Sequence, residues 1–313
     1  MSKYVISSSP HLRDNVSTTS IMRDVCIALL PAAVAGVLFF GYRSAIILAL
    51  SVAAAVLSEW LYCKAAHCRN TIGDFSAVVT GMLLAMNLPS TVPYWMPVIG
   101  SVIAILLCKM IFGGIGQNFI NPALAARAIL ALSWASLMNT FATPAFGNLA
   151  GVDAVASATP IGAAAGTYTL GQLFLGNIPG TIGETCKLAL LIGAAYLFYK
   201  KVITWHIPAA FIGTFAVCYL LKTGFDVNAT LAQLLSGGLI LGAFFMATDY
   251  SSSPATAKGK IVCGIGCGLL LFIFRACKKT PAEWCSYAIL LMNVCSPLIE
   301  RVTGNKSFGE VKK

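Results

Sequence analysis

The sequence predicts an all-α integral membrane protein of about ten transmembrane helices, arranged as two inverted five-helix repeats with broken helices and a long central outer loop. Three observations lead there. Hydrophobic residues make up 58% of the 313 and charged residues only 10%, with mean hydropathy +0.82, values that no ordinary soluble domain of this length shows. The apolar residues come in continuous runs rather than in alternation; only helices or closed barrels satisfy the backbone in lipid, and a span takes roughly 20 apolar residues as a helix. Short segments also recur in the same order at an offset near 160 residues.

Taken in order, the apolar runs are 25–41, 45–63, 75–88, 95–112, 122–138, 186–199, 205–221, 231–247, 260–274 and 284–299. Several are short for a full span. The third and eighth run directly into Leu88-Pro89-Ser90-Thr91-Val92-Pro93 and Thr248-Asp249-Tyr250-Ser251-Ser252-Ser253-Pro254, as broken helices lining a protected interior do. Residues 1–24 are polar and carry Arg13, Asp14, Arg23 and Asp24, so no cleavable signal peptide is expected.

A net charge of +10 would point to nucleic acid in a soluble protein; here it reports loop orientation, and no nucleic-acid partner is expected. If loops alternate sides, the N-terminal side holds thirteen Lys and Arg residues and the opposite side six, counting Arg43, Lys187, Lys222, Arg275, Lys278 and Lys279. Both termini are therefore expected to face the cytoplasm, with the central loop outside. The expected organisation is a cytoplasmic segment 1–24, a first repeat 25–138, the outer loop 139–185, a second repeat 186–299 and a cytoplasmic tail 300–313.

The repeat rests on collinear matches. Cys26-Ile27-Ala28-Leu29-Leu30 pairs with Cys186-Lys187-Leu188-Ala189-Leu190, Gly81 to Pro93 has the spacing of Gly242 to Pro254, and Pro122-Ala123 pairs with Pro281-Ala282. Five helices per half is an odd number, so the second copy enters the membrane from the opposite side, and such halves build a site near the midplane between them.

Two loops carry chemistry. Residues 139–185 are too rich in Phe, Leu, Ile and Val to be disordered and are expected to fold onto the helices. Within them Asp153-Ala154-Val155-Ala156-Ser157-Ala158-Thr159 resembles the signature at which a flavin transferase esterifies FMN, through its phosphate, to the final Thr hydroxyl. Its small neighbours allow the backbone to be laid into another enzyme's active site. The second loop, Phe112-Gly113-Gly114-Ile115-Gly116-Gln117-Asn118-Phe119-Ile120-Asn121-Pro122-Ala123, lacks the preceding strand of a nucleotide loop. Its Pro suits the first position of a helix, and its two Asn residues either hydrogen-bond a polar heterocycle or cap that helix.

Ser8-Ser9-Pro10-His11-Leu12-Arg13, Gly73-Asp74-Phe75-Ser76-Ala77-Val78-Val79-Thr80-Gly81, the segment from Gly114 to Ala123, the run from Asp153 to Pro160 and Phe245-Met246-Ala247-Thr248-Asp249 with Ser253-Pro254 together resemble the RnfD/NqrB family. The RnfD branch is the closer, because NqrB chains carry a longer N-terminal extension. One departure is that Ala156 and Ser157 stand where Ser-Gly or Ser-Ser is commoner. The resemblance implies covalent FMN on Thr159 and a second, noncovalent flavin, riboflavin, nearer the cytoplasm, with Asn118 and Asn121 matching the family's riboflavin-associated Asn pair. It further implies electron relay within an ion-translocating (Na⁺ or H⁺) ferredoxin:NAD⁺ oxidoreductase, with partners RnfA, RnfB, RnfC, RnfE and RnfG. This chain would relay electrons without binding ferredoxin or NAD itself, having neither a Rossmann pattern nor cluster ligands.

Ionisable residues at membrane depth cost of order 2.5–3.5 kcal/mol on insertion scales and each invites a role. Glu59 and Lys109 are read as snorkelling from helix ends. Arg127 stands inside its helix and is expected to meet a flavin edge or a carboxylate; Asp249, at a broken-helix position, and Glu59 are candidates for an ion path. His67 and His206 lie in short basic loops, and His11 falls in a family-like segment. The eleven Cys residues contain no C-x-x-C pair and lie largely in apolar runs, so no metal is expected on this chain. Two competing readings remain open, an NqrB-type quinone reductase subunit and a small-solute channel or transporter of similar fold.

Overall fold

The computed structural model describes residues 16–68, 70–144, 146–147, 156–157, 161, 168–277 and 284–304. Thr159, most of the flavin-transfer signature and the segment from Ser8 to Arg13 lie outside them. The first half contains α1 (Thr18–Phe40), α2 (Tyr42–Ala65), α3 (Ser76–Met86), α4 (Trp95–Ile105) continued by a π-helical turn over Leu106–Met110, α5 (Pro122–Ser133) and α6 (Ala135–Met138). Strand β1 (Phe141–Ala142) pairs antiparallel with β2 (Ala156–Ser157), and α7 is Leu170–Leu175. The second half contains α8 (Lys187–Tyr199), α9 (His206–Lys222), α10 (Val227–Leu235), α11 (Leu239–Leu241) with a π-helical turn over Gly242–Met246, α12 (Ala257–Ala276) and α13 (Cys285–Thr303).

Local chemistry sets these boundaries. Ser17 and Ser20 form a capping box that starts α1 at Thr18, so Arg23 and Asp24 belong to the helix rather than to a segment ahead of it, and Asp24 accepts from the Tyr196 hydroxyl at 3.0 Å. Gly41, with φ +76°, makes the junction to α2 in a conformation that side chains disfavour. Thr256 caps α12 by accepting from the Gly259 N–H at 3.0 Å, and Asp226 caps α10 through Ala229 at 3.1 Å.

By length and apolarity α1, α2 and α12 can each cross a membrane, and α10 with α11 and its π turn forms a bent fourth candidate, broken by 67°. The other apolar helices are shorter. Helix α1 packs on α8, α2 on α3 and α4, α9 on α12, α4 on α5, α12 on α13, and α5 on α13. Two crossings depend on the absence of a side chain. A Cβ on Gly193 would lie 2.0 Å from the Ala28 carbonyl oxygen, and Cβ atoms on Gly264 and Gly268 would each lie 2.8 Å from a carbonyl oxygen of α9.

The third helix ends at Met86, short of the expected 88, and its C-terminal end meets the second π turn, where Asn87 Nδ2 approaches Met246 Sδ at 3.8 Å. The end of the central loop folds onto the helices: Ile182 and Gly183 donate backbone hydrogen bonds to Leu88 O (3.1 Å) and Met86 O (2.8 Å), and Thr181, Glu184 and Thr185 are buried. Lys187, counted with the outer side in the charge tally, is fully buried and donates to the carbonyls of Glu184 and Gly237. Burial in protein removes it from the loop-charge count, which sharpens the asymmetry already noted.

Candidate functional site

A cavity of about 210 Å³ lies between the two halves. The start of α1 contributes Thr18, Ile21, Met22 and Val25; one face of α3 contributes Ser76, Val79, Thr80 and Leu83; the first π turn contributes Lys109; and the glycine-rich loop contributes Ile115, Gly116, Asn118 and Asn121. From the second half come Leu197 at the end of α8, Val202 and Ile203, Phe244 and Phe245 of the second π turn, and Thr248 to Ser251 beyond it. Both π turns thus deliver lining side chains. An extra residue in a helical turn re-aims the side chains beyond it, and such bulges recur at functional sites.

The two Asn residues do different work. Asn121 is the N-cap of α5, its side-chain oxygen accepting from Ala123 (3.1 Å) and Leu124 (3.3 Å), and its Nδ2 donates to Met246 O at 3.3 Å. Its own N–H is 3.2 Å from the Asn293 side-chain oxygen once that amide is oriented to satisfy its neighbours. Asn121 therefore joins α5, the second π turn and α13. Asn118, 8% exposed, has a buried side-chain oxygen with no partner; among the described residues it alone combines such an atom with a place in the cavity wall. A buried carbonyl left unpaired costs about 1–3 kcal/mol, so the site is short of one donor.

Glu59 and Lys109 do not snorkel. They form a buried ion pair, 2.6 Å between Lys109 Nζ and Glu59 Oε2, at 2% and 0% side-chain exposure. Lys109 also donates to Ser76 Oγ at 2.7 Å, and the Thr71 hydroxyl donates to Glu59 Oε1. Full desolvation makes pairing the cheaper solution for two charges that cannot reach water. Arg127 is not in the cavity wall. Its guanidinium donates to the Ser286 hydroxyl and lies 3.9 Å from Glu184 Oε1, so the carboxylate arm of its expectation is the one observed.

Asp249 does line the cavity. The residue is intermediate in exposure, and its carboxylate accepts hydrogen bonds from the Ser252 and Ser251 hydroxyls, each 3.1 Å. Of the residues singled out in the sequence, Asn118, Asn121 and Asp249 come together here, Glu59 stands one residue behind Lys109, and Arg127 lies elsewhere. Sequence reading missed Lys109 as a wall residue and the Glu184–Lys187 turn as a buried polar knot. The Ser76 hydroxyl within the Gly73-to-Gly81 motif was the available signal for the first.

Fold and site define a membrane protein of apolar helices that encloses, between its halves, a mostly apolar pocket with a few convergent polar groups, the usual form of a cofactor or small-molecule site. The chain belongs to the NQR2, RnfD, RnfE family, whose model matches residues 5–309. It is 49% identical over 315 residues to the D subunit of the Na(+)-translocating ferredoxin:NAD(+) oxidoreductase complex of Acetobacterium woodii, covering 98% of this chain and 96% of that one. It is 41% identical to the D subunit of the proton-translocating ferredoxin:NAD(+) oxidoreductase complex of Clostridium ljungdahlii, again over 98% and 96% of the two chains. With the D subunit of the ion-translocating oxidoreductase complex of Vibrio cholerae it shares 34% identity, over 98% and 99%.

Proposed function

We propose that this chain is the RnfD subunit of an ion-translocating ferredoxin:NAD⁺ oxidoreductase complex in the bacterial cytoplasmic membrane, where it relays electrons between flavins. It would work with RnfA, RnfB, RnfC, RnfE and RnfG. Near-complete coverage of the relatives supports the assignment to this subunit. The observation that carries the flavin reading is the unpartnered Asn118 oxygen in the wall of a mostly apolar cavity.

The residues present suit an isoalloxazine. Val79, Leu83, Phe244 and Phe245 would hold its apolar edge, while its pyrimidine edge would supply the donor that Asn118 lacks and acceptors for hydroxyl and ammonium groups. We place riboflavin here, with Asn118 as a direct contact and Asn121 holding the wall in position. When bound, the ring supplies reversible electron uptake; the protein orients it and excludes water. Thr159 is proposed to carry FMN as a phosphoester made by a flavin transferase. The sheet formed by Ala156–Ser157 against Phe141–Ala142 would anchor the segment leading to it.

The helices are proposed to form two inverted five-helix repeats with both termini cytoplasmic. Contacts support this: α2 on α4 is matched by α9 on α12, and α4 on α5 by α12 on α13, while α1 meets α8 and α5 meets α13. In that arrangement α3 and the α11 segment enter from opposite sides and meet at Asn87 and Met246. Asp249 and Glu59, the carboxylates proposed for the ion path, then flank the riboflavin cavity.

The test is ferredoxin-driven NAD⁺ reduction and ion uptake in membrane vesicles carrying Thr159→Ala. Both should be lost while the other subunits still co-purify. An assembled variant complex reducing NAD⁺ at the wild-type rate would remove this chain from the electron path.

A further inference from the structure

Among the described residues Lys109 is the cation of the cavity wall, and its carboxylate partner sits behind it. Glu59 does not line the cavity, so the pair turns its positive end toward any occupant. The ammonium has three N–H groups; Glu59 Oε2 and Ser76 Oγ take two, which leaves one for the cavity that Lys109 lines.

The carboxylate of Glu59, behind Lys109, offsets part of the positive field that reaches the cavity.

We propose that the Lys109–Glu59 pair sets the reduction potential of the ring bound in this cavity, Lys109 raising it and Glu59 limiting the rise. The proposal rests on the reading of the cavity as a flavin site. Each electron entering the ring adds negative charge unless a proton accompanies it, and a fixed cation in a low-dielectric wall favours the reduced form. Electrons come from the donor that the proposed complex already uses, so no further reductant is involved. Lys109 acts here on the potential, through space or through one hydrogen bond.

The experiment is a spectroelectrochemical titration of the purified complex, with the noncovalent flavin quantified by acid extraction. Lys109→Gln should shift its midpoint to more negative values and Glu59→Gln to more positive values, while Lys109→Arg stays near wild type. Single neutralisations strand a buried charge and can fail to fold, so the doubly substituted Lys109→Gln/Glu59→Gln protein, which strands none, supplies the control. It should keep its flavin, with a midpoint below wild type and above Lys109→Gln where that folds. A retained flavin with an unmoved midpoint in the double variant, or shifts of the same sign in both single variants, overturns the proposal. A wild-type complex yielding no extractable flavin overturns instead the reading of the cavity on which it rests.

Discussion

Arg127 of α5 donates a hydrogen bond to the hydroxyl of Ser286 on α13, a residue 159 positions further along the chain. Asn87 and Met246, in contact where the two broken segments meet, are also 159 apart. Under the proposed repeat Arg127 touches its own counterpart, as Pro122 and Pro281 are also 159 apart, and Asn87 touches a residue two positions from its counterpart Thr248, so both contacts lie beside the axis relating the halves. The spacing that links Pro122 to Pro281 in the sequence thus recurs as a contact across the interior.

Arg127 should be needed for the joint between the halves. Arg127→Met leaves Glu184 without that guanidinium in a buried setting, and breaking such a pair typically costs about 3–5 kcal/mol. Thermal unfolding in detergent should fall well below wild type for Arg127→Met. Ser286→Ala, which removes one neutral hydroxyl, should cost no more than about 1–3 kcal/mol by the same measurement.

The two loop Asn residues should separate by phenotype. Asn121→Ala removes a helix cap, worth about 1 kcal/mol, together with the bond to Met246, and should lower the melting temperature. Asn118→Ala removes an oxygen that had no protein partner and should leave the melting temperature of the flavin-free protein unchanged while noncovalent riboflavin is lost. Melting curves paired with extractable flavin check both; equal flavin loss with equal destabilisation in the two variants would contradict the division of labour.

Gly193 should tolerate no side chain. A Cβ there would meet the Ala28 carbonyl, backbone that cannot step aside, so Gly193→Val should force α1 and α8 apart and reduce the yield of folded protein in size-exclusion profiles. Gly213, which has open space around it, is the matched control for loss of glycine in a helix.

Much of this architecture was legible in the primary structure. Each of the ten apolar runs overlaps a helix, but the eighth, expected to be interrupted only after its end at Thr248–Pro254, is itself broken at Ser236–Gly238. The capping role open to Asn121 was written in Asn-Pro at the start of an apolar run, because Pro at the first helical position comes directly after a capping residue. The pairing of Glu59 with Lys109 was not, since two charges fifty residues apart announce no contact and each alone reads as a snorkelling side chain. Nor were the π turns, which differ from an α-helix by one residue's register and leave no composition mark. Lys187 misled for a related reason: a cation beside a helix start reads as a loop charge until the turn that covers it is in place.

The Lys and Arg asymmetry predicts an external central loop. A single Cys introduced at Ala150 in a background without reactive native Cys should be labelled by a membrane-impermeant maleimide in intact cells. Labelling only after the cytoplasmic face is opened would reverse the topology and deny the flavin transferase its proposed access to Thr159.

The central claim is that this chain holds two flavins by different means, and the flavin inventory of the purified protein tests it most directly. After denaturation in SDS, one FMN should remain on the polypeptide, its fluorescence abolished by Thr159→Ala, and one riboflavin should appear in the acid-soluble fraction. A chain that is colourless, or whose entire flavin is released by acid, would contradict the account.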